Sequence, residues 1–211
     1  MPDSSSTKPR RRRQKGRRIT VLLMRFGITS EIVAIAGMVL GVLAGFAFTA
    51  TGETPYPRIA WTVGGLLCLL RIVTIQLDGM LQPSAVKQSR EDEFYNELPE
   101  RVSDAVTLLG FGFAVASSPW LGLAAALAAI FSAYVRSLAS ARAGWKRATG
   151  PVLMNRTQRL VVLSSTAALM VAEVQERLSS VELPRLALTL VVAGCLITVA
   201  LRWFTLRGIK V

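Results

Sequence analysis

Seven of the chain's 13 acidic side chains lie between Asp78 and Asp104, in a protein that is otherwise apolar or basic. Asn96, Glu100 and Asp104 are spaced by four residues, so a helix places them on one face. Asp78 ends the preceding apolar segment and is followed by Gly79, which lets a ligand approach closely. Carboxylate and amide oxygens are hard ligands that suit Mg²⁺, Mn²⁺ or Ca²⁺. The spacing therefore predicts a polar pocket that can hold a divalent ion and the phosphates it bridges.

Other charged residues accompany this group. Glu93 and Glu97 lie one register over on the same predicted helix, and Arg71 lies two turns before the first acid of the group. Ionisable groups that enter a membrane segment usually face a polar interior and mark a site. The alternative interpretation is that these acids form no site: they lie at a helix end solvated by lipid headgroups and pair with Arg90 and Arg101.

Composition indicates a membrane protein. Of the 211 residues, 52% are hydrophobic, and the mean hydropathy is positive, which is too apolar for an ordinary soluble domain. The net charge of +12 does not indicate a nucleic-acid partner, because nine of the 25 Lys and Arg residues lie in the first 25 positions and most others flank apolar segments. This distribution is typical of the charges that orient membrane helices.

Several kinds of chemistry are excluded by residue usage. The sequence contains no histidine, so His-activated nucleophiles, His metal ligands and a His proton shuttle are ruled out. Cys68 and Cys195 each lie inside an apolar run, without a partner at metal-ligand spacing, so neither a zinc site nor a disulfide framework is indicated. Proton chemistry must therefore fall to carboxylates, lysine or tyrosine.

Six apolar segments are long enough to cross a bilayer, since each helical residue adds about 1.5 Å and the hydrocarbon core is about 30 Å thick. The sequence thus predicts an all-α, polytopic integral membrane protein with six transmembrane helices. Pro119 follows the third segment so closely that the third and fourth helices must be antiparallel neighbours. The predicted helices span about 28–50, 58–78, 98–116, 121–139, 157–174 and 184–204.

Lys and Arg residues collect in the N-terminal region, in the loops of about 79–97 and 140–156, and in the C-terminal tail. Residues 51–57 on the opposite side contain none, so the positive-inside rule predicts that both termini face the cytoplasm. Residues 1–25 form a basic, disordered segment that either binds anionic lipid or only orients the chain, and residues 26–211 form the membrane domain.

Glycines recur on the first predicted helix at Gly37, Gly41 and Gly45. A spacing of four places them on one face, where the missing side chains let a second helix backbone approach closely. We expect tight helix packing at this face and no direct catalytic role.

The acidic segment resembles the signature of the CDP-alcohol phosphotransferase family, D-x2-D-G-x2-A-R-x8-G-x3-D-x3-D. Asp78 and Gly79 are identical to the signature, and Asn96 and Glu100 are chemically related to the aspartates they replace. Aligned without gaps, the eight signature positions fall on Ile75, Asp78, Gly79, Gln82, Pro83, Asp92, Asn96 and Glu100.

The resemblance extends along most of the chain. "GITSEIVAIAGMVLGVLAG" is similar to the start of the family's glycine-rich first helix, and "FYNELPERVSD" is similar to a form found in a divergent bacterial branch. "SAYVRSLASARAGWKRATGPVLMNRTQRLVVL" resembles the family's fourth helix, basic loop and fifth helix. Six helices with cytoplasmic termini also match the family.

The resemblance implies a reaction that depends on Mg²⁺ or Mn²⁺, with one or two ions. An acceptor alcohol attacks the phosphorus of a CDP-activated donor, usually CDP-diacylglycerol, and CMP leaves. Asp78, Asn96 and Glu100 are then the metal ligands, and Glu100 is also the candidate catalytic base. Three further acids are candidates to replace those that the signature lacks: Glu93, Glu97 and Asp104.

The resemblance also assigns the binding residues. Gly79, Lys87 and Arg90 are the nucleotide-binding candidates. Arg136 and Arg159 are candidates for the acceptor's phosphate or the lipid headgroup, since arginine offers a bidentate fork to phosphate oxygens. Positive-inside topology alone would also place basic residues there. Three more basic residues could join this anion pocket: Arg142, Lys146 and Arg156.

The implied partners are CDP-diacylglycerol or another CDP-alcohol, membrane lipids and a second copy of the chain, without nucleic acid. The implied location is the bacterial inner membrane, with the active face towards the cytoplasm. Two other functions remain open. A catalytically impaired relative would bind a nucleotide-lipid without turnover, as the departures from the signature suggest. A small transporter or channel would use the intramembrane acids as an ion path, although the two halves show no corresponding broken helices.

Overall fold

The computed structural model describes residues 29–81, 90–143, 152–172 and 182–207, and their regular secondary structure is entirely α-helical. Residues 1–25, predicted to be a disordered basic segment, lie outside this description. The helices are α1 (Ser30–Ala50), α2 (Pro57–Leu81), α3 (Arg90–Gly112), α4 (Pro119–Ala143), α5 (Arg156–Val171) and α6 (Leu183–Arg207).

The six predicted helices are all present, and the largest difference in bounds concerns α3. This helix begins at Arg90, eight residues before the predicted start, and it contains Pro99. The prediction followed the apolar run, whereas the helix also includes the charged segment before it. Hydropathy reports which residues suit an apolar environment, and a polar helix gives no such signal. At its other end α3 stops at Gly112, ahead of a turn in which Ala116 has a positive φ of 58°.

Four of the described helices are long and apolar enough to cross a membrane: α1, α2, and the segments Pro119–Ala139 of α4 and Leu183–Phe204 of α6. The third helix has several charged residues, and α5 has only 16 residues. Large apolar side chains such as Phe46, Leu66 and Leu70 remain exposed on the outside of the bundle. An apolar outer surface on long apolar helices suits the hydrocarbon of a bilayer.

The first three helices run up and down. Ser30, at the start of α1, donates a hydrogen bond to the carboxylate of Asp78, near the end of α2. At the opposite end, the Val115 amide after α3 donates to Thr51 Oγ1 after α1, over 3.0 Å. We call the end that holds Ser30 and Asp78 the polar end.

The last helices continue this alternation. Arg202, near the end of α6, donates from Nη1 to the Ser132 carbonyl of α4 over 3.0 Å. Arg185, near the start of α6, donates from Nε to the Ser117 carbonyl before α4 over 3.3 Å. The polar end therefore gathers the starts of α1, α3 and α5 and the ends of α2, α4 and α6.

An aromatic cluster fills the bundle away from the polar end. Phe48, Trp61 and Phe111 pack with ring centroids 4.8 to 5.6 Å apart, and all three are at most 2% exposed. Gly64 makes room for the cluster, because a Cβ there would lie 2.5 Å from the Phe48 ring. Edge-to-face contacts of this kind add to the stabilisation from apolar burial.

The glycine face of α1 packs tightly, as predicted. Gly37, Gly41 and Gly45 are all buried. Thr107 of α3 donates its hydroxyl to the Gly41 carbonyl over 2.8 Å, and a Cβ at Gly45 would lie 2.5 Å from the Val106 carbonyl oxygen. Close backbone approach of α1 and α3 thus depends on the missing side chains.

Gly45→Ala should destabilise the protein, because the new methyl group would press on the backbone of α3. Overpacking of this kind costs about 1–3 kcal/mol. Thermal unfolding of the purified protein in detergent measures the effect. Gly52→Ala is the matched control, since the atoms nearest to its Cβ would be 3.9 Å away. Equal unfolding temperatures for the two variants would contradict close packing at Gly45.

Candidate functional site

A cavity of about 370 Å³ lies at the polar end, between the helices that meet there. Two carboxylates and five arginines are among the residues that line it: Asp78, Glu100, Arg101, Arg136, Arg156, Arg159 and Arg202. The excess of guanidinium groups makes the cavity electropositive, and low-dielectric walls strengthen the field inside it. The cavity is therefore suited to an anionic ligand, such as one that carries phosphate groups.

Asp104 of α3 lies behind this cavity and binds three arginines. Its Oδ2 accepts a hydrogen bond from Arg159 Nη2 over 2.6 Å and another from Arg156 Nε over 3.3 Å. Its Oδ1 lies 3.8 Å from Arg71 Nη2 of α2. Only 7% of Asp104 is exposed, so these ion pairs are shielded from solvent. One carboxylate thus joins α2, α3 and α5.

The start of α5 positions two of these arginines. Asn155 caps the helix: its side chain accepts from the Gln158 amide over 2.8 Å, and the Gln158 side chain accepts from the Asn155 amide over 2.6 Å. Such a capping box fixes where the helix begins. Arg156 and Arg159 are then three residues apart on one face. Arg156 also forms an ion pair with Glu100, and so bridges two acids of α3.

The segment before α5 is fastened to α6. The Met154 amide donates to Thr198 Oγ1 over 3.0 Å, and the Met154 side chain occupies the space left by Gly194. A Cβ at Gly194 would lie 2.8 Å from the end of that side chain. These contacts hold one wall of the cavity, because Met154 and Asn155 both line it.

Asp78 lies where α2 ends beside the start of α1. It is 9% exposed and accepts a hydrogen bond from Ser30, the first residue of α1. Thr29 caps that helix by accepting from the Ile32 amide over 3.4 Å. A helix N-terminus carries a partial positive charge, so the start of α1 is complementary to this carboxylate. Gly79 beside it leaves open space, since a Cβ there would meet no atom within 4 Å.

Five of the residues selected from the sequence line the same cavity, although they come from four helices. They are Asp78, Gly79, Glu100, Arg136 and Arg159, and Arg156, a further candidate for the anion pocket, also lines it. The helix-face spacing was sufficient to select Glu100. The joining of α2, α3, α4 and α5 around one space is a property of the fold.

Two of the remaining candidates, Glu97 and Asp104, are described but do not line the cavity. Glu97 is 44% exposed in its side chain, pairs with Arg101 and accepts a hydrogen bond from Ser137 over 3.2 Å. Asp104 is bound by arginines behind the cavity. Six other candidates lie outside the residues whose side chains are described: Lys87, Arg90, Glu93, Asn96, Arg142 and Lys146.

The described residues contain no group of three or more His, Cys, Asp or Glu side chains that could hold a metal ion. Asp78 and Glu100 contribute the carboxylates of the cavity, and Ile75 lines it at the place where the family signature has its first aspartate. The Asn96 side chain, predicted as the third ligand, is not among those described. Of the three predicted metal ligands, the described residues therefore supply two, the carboxylates of Asp78 and Glu100.

Two functional candidates were not selected from the sequence. Arg202 lines the cavity, is 6% exposed, and has an Nε without a hydrogen-bond partner among the described residues. The sequence does contain a clue to it, because Arg202 is a single arginine inside the apolar run of α6. A charged side chain in such a run costs free energy, so it usually faces a polar interior and marks a site. Ser30 has no comparable signal, because its role depends on contact with Asp78 of another helix.

Asp104→Asn should destabilise the protein strongly, because it leaves the buried Arg71 and Arg159 without their carboxylate and removes one of the two acids that pair with Arg156. Removing one partner of a buried ion pair costs about 3–5 kcal/mol. Chemical unfolding in detergent measures the loss. Glu182→Gln is the matched control: its ion pair with Arg185 is exposed, and exposed pairs contribute little. A loss no larger than that of the control would show that the buried network is not needed.

Comparison with known proteins supports the family at the level of the fold. The sequence matches no protein-family model, and no curated protein matches it. A structure of Mycobacterium tuberculosis phosphatidylinositol phosphate synthase (PgsA1) in complex with manganese and citrate matches at 18% identity and a TM-score of 0.66, covering 91% of this chain and 88% of that chain. The same enzyme with CDP-DAG bound matches at 20% identity and a TM-score of 0.58, over 90% and 92% of the two chains. This chain therefore has the fold of a phosphatidylinositol phosphate synthase, which supports its resemblance to CDP-alcohol phosphotransferases.

Proposed function

We propose that this chain is a membrane enzyme of the CDP-alcohol phosphotransferase family. It transfers a phosphatidyl or related phospho-alcohol group from a CDP-activated lipid to an acceptor alcohol, and CMP leaves. The observation that carries the proposal is the cavity whose described lining includes two carboxylates and five arginines. The fold shared with a phosphatidylinositol phosphate synthase crystallised with CDP-DAG supports the same class of substrate.

The proposed topology has six membrane-crossing helices and a cavity that faces the cytoplasm of a bacterial cell. The alternating helix directions support it, because α1 begins and α6 ends at the polar end. The charges within α3 and α5 are compatible with a membrane, since Asp104 and Arg159 are buried inside the bundle and paired. A homodimer is part of the proposal on the family resemblance alone.

The proposed cofactor is Mg²⁺ or Mn²⁺, with one or two ions. Carboxylate oxygens from Asp78 and Glu100 are the donors these ions prefer, so the cavity's acids fit such an ion, with Asn96 as a third ligand. A bound divalent ion would neutralise phosphate charge and make the phosphorus more electrophilic. Manganese in the related structure supports this assignment. Ile75 in place of an acid makes the ligand set weaker than that of the signature.

Glu100 is the proposed base. Its carboxylate lines the cavity and is held by Arg156, so it is placed to take the proton of the acceptor hydroxyl. The acceptor oxygen then bonds to the phosphorus that carries the lipid alcohol. The bond from that phosphorus to the CMP oxygen breaks, and CMP leaves with the electron pair. Gly79, Lys87 and Arg90 are proposed to bind the nucleotide.

The arginines of the cavity are proposed to bind phosphate groups of the donor or the acceptor. Arg136 and Arg159 come from α4 and α5, and Arg202 comes from α6, so their donors converge from different directions. Guanidinium groups form charge-assisted hydrogen bonds to phosphate oxygens and hold them in a fixed orientation. Binding of this kind would bring the acceptor oxygen next to the reacting phosphorus.

The second candidate function is binding of a nucleotide-lipid without turnover. Two observations favour it: Ile75 presents an apolar side chain to the cavity, and Asp104 is occupied by arginines. Both reduce the number of acids available to a metal. In this case the arginine cavity would hold the phosphates of the ligand, and no bond would break.

The purified protein should release CMP from CDP-diacylglycerol when Mg²⁺ or Mn²⁺ and a suitable acceptor are present. Asp78→Ala and Glu100→Ala should each lower the rate at least about a hundredfold, since each removes a group proposed to act on the reacting atoms. Chromatographic measurement of CMP tests this. Glu182→Gln, at the end of the bundle away from the cavity, is the control and should retain full activity.

Thermal stabilisation by CDP-diacylglycerol without CMP release, across a panel of acceptors, would favour the binding function instead. Turnover that is unchanged in both alanine variants would contradict the proposed site.

Arg136→Gln should weaken binding of a phosphate-bearing substrate more than it slows the chemical step. Its guanidinium is proposed to bind phosphate in both the ground state and the transition state, so KM should rise roughly tenfold while kcat changes less. Steady-state kinetics separate the two effects. Arg185→Gln removes an arginine near the other end of α6 and should change neither constant.

A further inference from the structure

Arg71 is a buried cation that the proposed reaction does not use. It lies on α2, two helical turns before Asp78, and only 2% of it is exposed. It does not line the cavity. A guanidinium inside an apolar helix is costly to bury unless a charged partner compensates it. Its position therefore requires an explanation in terms of its contacts.

Its main contact is with Asp104. Arg71 Nη2 lies 3.8 Å from Asp104 Oδ1, and Nε and Nη2 have no hydrogen-bond partner among the described residues. Hydrogen-bonding capacity is thus left unused in a buried side chain, which costs stability. Asp104 is the acid that forms an ion pair with this guanidinium among the described residues.

The glycine face of α1 leaves room for this arrangement. A Cβ at Gly37 would lie 2.8 Å from Thr74 Oγ1 and 2.9 Å from Arg71 Nη1. A larger residue at position 37 would therefore press on the Arg71 guanidinium as well as on the Thr74 hydroxyl. Gly37 thus differs from Gly45 of the same face, whose Cβ would instead meet the backbone and side chain of Val106.

The two oxygens of Asp104 face different partners. Oδ1 faces Arg71, whereas Oδ2 binds Arg159 and Arg156, and both of those arginines line the cavity. A single negative charge is shared by three cations. If Arg71 were absent, both oxygens would turn to the cavity arginines and neutralise more of their charge.

We propose that Arg71 is a positioning residue for anion binding. It holds Oδ1 of Asp104, so that Oδ2 alone orients Arg159 and Arg156 and their remaining donors stay available to a phosphate group in the cavity. Gly37 provides the space that Arg71 needs. This inference rests on the proposed binding of phosphate by the cavity arginines, and it adds a residue that would not touch the ligand.

Calorimetric titration of the full chain in detergent with inorganic phosphate tests the inference. Arg71→Met, which keeps much of the side-chain volume, should weaken phosphate binding roughly tenfold, as expected for a group that orients binding residues. Arg71→Lys keeps the charge and should restore part of the affinity. In an Asp104→Asn background, Arg71→Met should have no further effect, because the residue acts through that carboxylate.

A second pair of variants separates positioning from stability. Gly37→Ala and Gly45→Ala both add one methyl group to the same face of α1, but only the first places it against Arg71. Gly37→Ala should weaken phosphate binding, whereas Gly45→Ala should lower the unfolding temperature and leave the affinity unchanged. If Arg71→Met does not fold, these two glycine variants still test whether Arg71 positions the groups that bind phosphate.

The outcomes are distinct. Phosphate binding by the wild-type protein that is unchanged in Arg71→Met and Gly37→Ala would overturn the role of Arg71 while leaving the anion site intact. An equal loss of affinity in Gly37→Ala and Gly45→Ala would also overturn it, because the effect would then be general destabilisation. A wild-type protein that binds no phosphate would overturn the anion site and this inference together.

Discussion

The ion pairs of Asp104 are the constraint on which the polar end of this bundle depends. A carboxylate buried among helices must be paired, and here its partners are Arg71 of α2 and Arg156 and Arg159 of α5. The three helices must therefore meet at this level. Glu100 lies one turn before Asp104 on α3 and is carried to the same place, where it pairs with Arg156. The network thus sets the position of the cavity as well as the packing of the helices.

Helix packing supplies the rigidity that such a network needs. The glycine face of α1 lets α2 and α3 approach so closely that side chains at Gly37, Gly41 or Gly45 would overlap their neighbours. The aromatic cluster beyond it, which includes Phe48 and Phe111, fills the bundle away from the polar end. Close packing at one end and an open, charged cavity at the other divide the molecule into a scaffold and a site. Side chains held by a rigid scaffold keep the geometry that binding requires.

The electrostatics of the cavity connect this architecture to the proposed reaction. Among the described residues that line it, arginines outnumber carboxylates, so this part of the cavity favours phosphate groups over cations. Metal binding must then rely on few acids, because Ile75 replaces one aspartate of the family signature and Asp104 is committed to arginines. The fold shared with phosphatidylinositol phosphate synthase is compatible with either turnover or binding, since catalysis depends on the acids and the fold does not determine them.

Spacing along the chain was enough to predict the six helices, the close approach along Gly37 to Gly45, and the shared helical face of Glu100 and Asp104. These features follow from spacing along one helix, which is local and can be counted. Which of these acids lines the cavity depends on helix packing: Asp104 binds Arg159, 55 positions away in the chain, while Glu100 lines the space. Arg202 of α6 likewise lines the cavity because of how the helices pack. Partners on different helices are set by how the helices pack, and a spacing rule within one helix contains no information about that.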